Sequence, residues 1–264
     1  MNSQQPKGDV SHSLGVACRP TLVFVVAFAL NVTPHEIVHA ITSYLLGFNS
    51  TVFQMWVNPD AAEAARWQTV LIAGSGPFFS LTVGAVSWLI YKRSFTERPA
   101  GLGFLMMSIV GIYSFLGPLA GTAFGGDFHV VFTFLNVAVA FGYLTSAIGF
   151  LLLPIFMYYS GGELFRWVPS EFGRAKAIVC ATVAPWVVGT AILLLVYWPL
   201  PRFLIGSTVV GSVFWAFAVL GAALRFSSRR PAEILASFTR TDLILMIAVL
   251  TMVRLLATGV RLVH

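Results

Sequence analysis

The chain is dominated by apolar runs of about 20 residues, and a run of that kind has few ways to fold. In hydrocarbon every backbone N–H and C=O must find its partner within the structure, so such a run becomes a spanning helix. Seven windows can be placed: Thr21 to Gly47, Trp67 to Tyr91, Gly101 to Gly121, Val130 to Tyr159, Ala177 to Trp198, Phe203 to Leu224 and Leu243 to Val263. Composition agrees, with 58% hydrophobic and 10% charged residues, where soluble proteins carry about 25% charged. The sequence predicts an all-α integral membrane protein of about seven transmembrane helices.

The net charge is +6, but the cations lie in short segments between the runs. That is a topology signal, not a nucleic-acid surface. With the amino terminus inside, Lys7, Arg19, Lys92, Arg93, Arg98, Arg166, Arg174, Lys176, Arg225, Arg229, Arg230 and Arg240 face only Arg66, Arg202 and Arg261. This imbalance predicts a multi-pass protein with a cytoplasmic amino terminus and an outward carboxyl end. Arg254, inside the last run, reads as a snorkelling or carbonyl-bonded residue. Cys18 and Cys180 are too few for a disulfide framework or a cysteine-rich metal site. Residues Met1 to Pro20 precede a run that resembles a signal-peptide core, but Asn31 to Pro34 lack a small-x-small cleavage pattern. The run is therefore kept as the first span.

Within that span stands Thr33-Pro34-His35-Glu36-Ile37-Val38-His39-Ala40. The pattern H-E-x-x-H puts two imidazoles one helical turn apart on one face, where they can share a metal ion. His35 and His39 would donate neutral nitrogens to one Zn²⁺, and Glu36 would take a proton from a zinc-bound water and pass it to the leaving amine. Ionisable groups at this depth are costly unless they serve a function. A simpler reading is a capping box, Thr33 at the N-cap and Glu36 three residues on, with Pro34 at the first helical position.

A catalytic zinc needs a third protein ligand and an open position. Asp127 leads the candidates, because Gly125 and Gly126 before it permit a sharp turn toward a neighbouring helix. Its structural alternative is a cap on the fourth span. His129 is the second candidate, with a histidine bonded to a carbonyl as its alternative. Glu163 is the third, with exposure and pairing to Arg166 across one turn as its alternative. The mixed stretch Asn49 to Arg66 either lies at the interface or dips inward, and the sequence does not choose.

The run His35-Glu36-Ile37-Val38-His39-Ala40 with Leu45-Leu46-Gly47 behind it, then Ala73-Gly74-Ser75-Gly76-Pro77, then Gly125-Gly126-Asp127, resembles the site-2 protease family of intramembrane zinc metalloproteases. The resemblance covers about the first 130 residues. It implies a three-span core in which His35, His39 and Asp127 hold zinc, Glu36 is the base, and a membrane-spanning protein substrate is cut within the bilayer. Two positions depart from the family pattern: the glycines precede the aspartate, and Ser80 stands where an asparagine often follows the glycine-proline pair. The family also tends to place its zinc nearer the cytoplasmic side, whereas the charge count puts the motif at mid-depth or beyond.

The expected organisation is a polar segment over residues 1–20, a metalloprotease core over 21–159 and a C-terminal transmembrane bundle over 160–264. An edge made by Asn49 to Asp60 would pair with the unwound substrate as an added strand. Two rivals stand beside this reading. One is a non-proteolytic membrane protein that binds a divalent metal for structure or transport. The other is a zinc protease that takes Glu163 as its third ligand.

Overall fold

A spanning segment satisfies its backbone by remaining helical, and the first helix does so for 36 residues despite two prolines. In the computed structural model, which describes residues 10–96, 98, 100–168, 172–225 and 240–264, α1 (Val10–Leu45) runs through Pro20 and Pro34. Pro34 has no N–H to give the Leu30 carbonyl, yet the helix does not restart there. Lys7, Arg229 and Arg230 of the charge count lie outside the described residues, as do residues 1–9 of the polar segment. The rest of that segment, from Val10 on, is already helix.

The mixed stretch after α1 folds as a hairpin. Strand β1 (Ser50–Val52) pairs antiparallel with β2 (Val57–Pro59), Thr51 opposite Asn58, and Phe53 stacks on Trp56 at 4.0 Å across the turn. A third strand, β3 (Val260–Leu262), comes from the far end of the sequence and pairs antiparallel with β1, giving the order β2-β1-β3. Gln54 in the hairpin turn is buried and donates to the Tyr197 carbonyl at 2.8 Å. This bond ties the sheet to the helical bundle.

Helix α2 (Arg66–Ile90) continues through a π-turn, Tyr91–Phe95, and packs on α3 (Gly101–Gly121). A Cβ on Gly84 or Gly111 would overlap the other helix's backbone, so the two axes can approach this closely only without side chains there. The predicted span Val130 to Tyr159 is instead two helices, α4 (Asp127–Phe134) and α5 (Val139–Leu164). They are separated where Asn136 takes a left-handed φ of 54°, and Asn tolerates that conformation better than most residues. Phe141, Leu144, Ile148, Leu151 and Ile155 of α5 are exposed, the outward face a lipid-contacting helix requires.

Helices α6 (Arg174–Ile178) and α7 (Thr190–Val196) are joined by π-turns into one long rod, with Pro185 inside the second of these turns. Then follow α8 (Arg202–Ser212), α9 (Trp215–Leu224) and α10 (Arg240–Leu255). Among the described residues, five helices are long and apolar enough to cross a membrane: Arg19–Leu45, Arg66–Phe95, Gly101–Gly121, Val139–Trp167 and Arg174–Val196. The window Phe203 to Leu224 is broken at Val213 and Phe214, and the window Leu243 to Val263 ends in β3. Arg254 on α10 donates to the carbonyls of Val196 and Trp198, the carbonyl-bonded alternative. The buried core runs between α1, α3 and α5, around Val25, Leu105, Met106, Ile109, Leu153 and Met157.

Candidate metal centre

The two histidines of α1 face α2 at Gly76 and are buried, His35 at 7% and His39 at 3% exposure. Their Nε2 atoms lie 3.1 Å apart, with the rings edge-to-face. A Cβ at position 76 would overlap both imidazoles, so the missing side chain is what leaves room for them.

Asp127 closes the group from a third direction. The chain leaves α3 through Gly125 and Gly126, at φ of 151° and 84°, values that side-chain-bearing residues rarely adopt. The turn sets Asp127 as the first residue of α4, and α4 carries no side-chain cap. Its carboxylate points instead at the histidines, Oδ2 at 3.4 Å from His35 Nε2 and Oδ1 at 3.7 Å from His39 Nε2. Phe128, the next residue, packs edge-to-face on Phe78 of α2 and Phe115 of α3. Those contacts anchor the start of α4 against both helices.

His39 Nδ1 lies 2.5 Å from the Ile72 carbonyl. A carbonyl only accepts, so Nδ1 carries a proton, and in the neutral ring Nε2 keeps its lone pair for the shared space. Ser75 Oγ donates to the same carbonyl at 2.8 Å. His35 Nδ1 contacts Ser80 Oγ at 2.9 Å, and Ser80 Oγ donates to Asn31 Oδ1 at 3.0 Å.

The spacing fits a small divalent ion. Ligand atoms about 2.0–2.2 Å from a tetrahedral metal stand about 3.3–3.6 Å from one another, and the three separations here are 3.1, 3.4 and 3.7 Å. His35, His39 and Asp127 thus form a buried group that could hold a metal ion. Two nitrogens and one carboxylate oxygen suit zinc chemistry better than the all-oxygen shells of magnesium or calcium.

The remaining sequence candidates fall into place around this group. Thr33 is not an N-cap, because α1 is continuous there; its hydroxyl donates to the Gln54 carbonyl at 3.1 Å and lies 3.3 Å from Tyr197 Oη. Glu36 is therefore not consumed by a cap, and it directly follows His35 on α1. His129 contacts the Thr122 carbonyl through Nδ1 at 3.0 Å, the alternative named for it. Glu163 is not exposed as expected: it is buried and takes Lys92 at 3.1 Å, Arg166 at 3.4 Å and Tyr91 Oη at 3.3 Å. Lys92 lies sixteen residues past Gly76 along α2 and its π-turn, about 24 Å of helix rise.

Sequence reasoning missed Asn31, the Ile72 carbonyl and the part played by Ser80. A signal was present: Asn31 precedes His35 by four residues and Ser80 follows Gly76 by four, so each lies one turn from a site residue on the same helix face. No family model, curated protein or solved structure matches the chain.

Proposed function

We propose that this chain is an intramembrane zinc metalloprotease of the site-2 protease type, hydrolysing peptide bonds of membrane-embedded protein substrates. The observation that carries the reading is the convergence of two imidazole nitrogens and a carboxylate at tetrahedral spacing, with the acid Glu36 beside them. When bound, zinc supplies Lewis acidity toward a scissile carbonyl and lowers the pKa of water to about 7.

The chain's own residues do the rest. His35, His39 and Asp127 hold the ion, and Glu36 accepts the proton of the attacking water and delivers it to the departing amine. A helical substrate hides its carbonyls, so it must be cut in an extended form. Strand β2 is an edge of the sheet, since β3 covers the other side of β1, and an extended segment can add to it through main-chain hydrogen bonds.

The topology of this reading has seven crossings, with α8 and α9 together as the sixth and α10 as the seventh. Two contacts support it. Arg254 near the end of α10 reaches the carbonyls after α7, and β3 lies beside β1 at the end of α1, so the ends of α1, α7 and α10 share one side. The ends of α2 and α5 meet on the other side through Lys92, Arg166 and Glu163. Lys92 and Arg166, both counted as cytoplasmic from the sequence, lie on that second side, which supports a cytoplasmic orientation for it.

The test is Glu36→Gln in purified protein, scored for zinc content and for cleavage of a transmembrane reporter. A protease loses cleavage and keeps its zinc. Metal retained with no cleavage by the wild type either, across a panel of transmembrane reporters, would favour the structural or transport rival.

A further inference from the structure

The His35 imidazole can serve as a ligand through Nε2 only if its proton sits on Nδ1. Its Nδ1 faces a hydroxyl, which can either give or accept a proton, so Ser80 alone does not settle the tautomer. The next contact does. Ser80 Oγ donates to Asn31 Oδ1 at 3.0 Å, and a hydroxyl has only one proton to give. Toward His35 it is left with lone pairs, and His35 Nδ1 donates to it at 2.9 Å.

The four residues form a closed arrangement across two helices. On α1, Asn31 and His35 are one turn apart; on α2, so are Gly76 and Ser80. Gly76 makes room for the rings, Ser80 reaches His35, and Asn31 claims the serine's proton. Asn31 and Ser80 are both completely buried, so no solvent competes for these bonds.

We propose that Asn31 and Ser80 are positioning residues that set the tautomer of His35 and so aim its Nε2 lone pair at the metal. This proposal rests on the metal-binding reading of His35, His39 and Asp127, not on proteolysis. His39 has the same need met differently, by the Ile72 backbone carbonyl, which no side-chain substitution removes. Partners of this kind typically contribute 10- to 100-fold to metal affinity.

The experiment measures zinc affinity by competition with a chromophoric chelator, using the full chain in detergent. The proteins are wild type, Ser80→Ala, Asn31→Leu and the double variant. Ser80→Ala is expected to weaken zinc binding roughly tenfold, because His35 loses the partner that holds its tautomer. Asn31→Leu is expected to weaken it at least as much, because the freed hydroxyl turns to donate to Nδ1 and drives the proton to Nε2. The double variant is then no weaker than Asn31→Leu alone, since removing Ser80 removes the misdirected donor. Additive losses, or unchanged zinc affinity in both single variants, would overturn the proposal.

A second readout needs no metal and reads the wild type itself, with one variant used only for assignment. In ¹⁵N-histidine-labelled, metal-free wild type, the His35 resonances, assigned by their loss in His35→Gln, are expected to show a protonated Nδ1. A bare Nδ1 would mean that Ser80 donates to His35 and that the Asn31 amide faces Ser80 with its NH₂ group, and the proposal fails. If the wild type took up no zinc, the metal reading would fail, and this spectrum would still decide the relay.

Discussion

Two carboxylates in this bundle, Glu163 buried and Asp127 half-buried, meet opposite company. Glu163, at the end of α5, is surrounded by donors: the Lys92 ammonium, the Arg166 guanidinium and the Tyr91 hydroxyl all point at it. Asp127, at the start of α4, faces the Nε2 atoms of two imidazoles, one of which, His39, uses its Nδ1 for the Ile72 carbonyl. The first cluster is electrostatically complete. The second brings two imidazole nitrogens and a carboxylate oxygen to one point, a donor set that could hold a metal ion. The contrast distinguishes an ion-pair cluster from a group that could hold a metal ion.

The largest effect that sharpens this contrast is catalytic. Replacing Glu36 by Gln should lower reporter cleavage by about 10²- to 10⁴-fold, the usual worth of a general base, with zinc content unchanged. No substitution at Glu163 should do this. Next comes Gly76→Ala, whose methyl group would occupy the space of both imidazole rings. It should weaken zinc binding at least about tenfold, measured by chelator competition, while the chain still folds.

On the other side of the comparison, Glu163→Gln should leave zinc affinity as it is and lower thermal stability. Removing one partner of a buried pair costs about 3–5 kcal/mol, but Lys92 and Arg166 reach solvent at 36% and 23% exposure, which reduces this to about 1–2 kcal/mol. The midpoint of thermal unfolding in detergent checks it. The smallest effect is Thr33→Val, which removes the bond to Gln54 and should cost about 1 kcal/mol. Unchanged zinc content in that variant separates the observed Thr33 contacts from a capping box with Glu36.

Much of this contrast was legible in the sequence because acids and imidazoles are so scarce inside the apolar runs. The H-E-x-x-H spacing brought His35 and His39 onto one face, and the two glycines before Asp127 marked a turn that could aim it. Glu163 was misread because its neighbours in sequence are basic and loop-like; the Lys92 that buries it comes from another helix. Hydropathy also ran α4 and α5 together, since Leu135 to Ala138 contain only Asn136 as a polar break and the left-handed turn there leaves no hydrophobic signature. β3 was hidden for the same reason: Val260 to Leu262 extend an apolar run, and only pairing with β1, some 200 residues earlier in the chain, makes them a strand. Ser80 and Asn31 went unread because single small polar residues are common where membrane helices pack, and only their partners distinguish them.

The most direct test is the zinc content of the purified chain by elemental analysis, wild type beside Asp127→Ala and Glu163→Gln. The account predicts about one zinc per chain in the wild type and in Glu163→Gln, by the ligand count of a mononuclear site, and little or none in Asp127→Ala. Zinc retained without Asp127, or lost with Glu163, would contradict it.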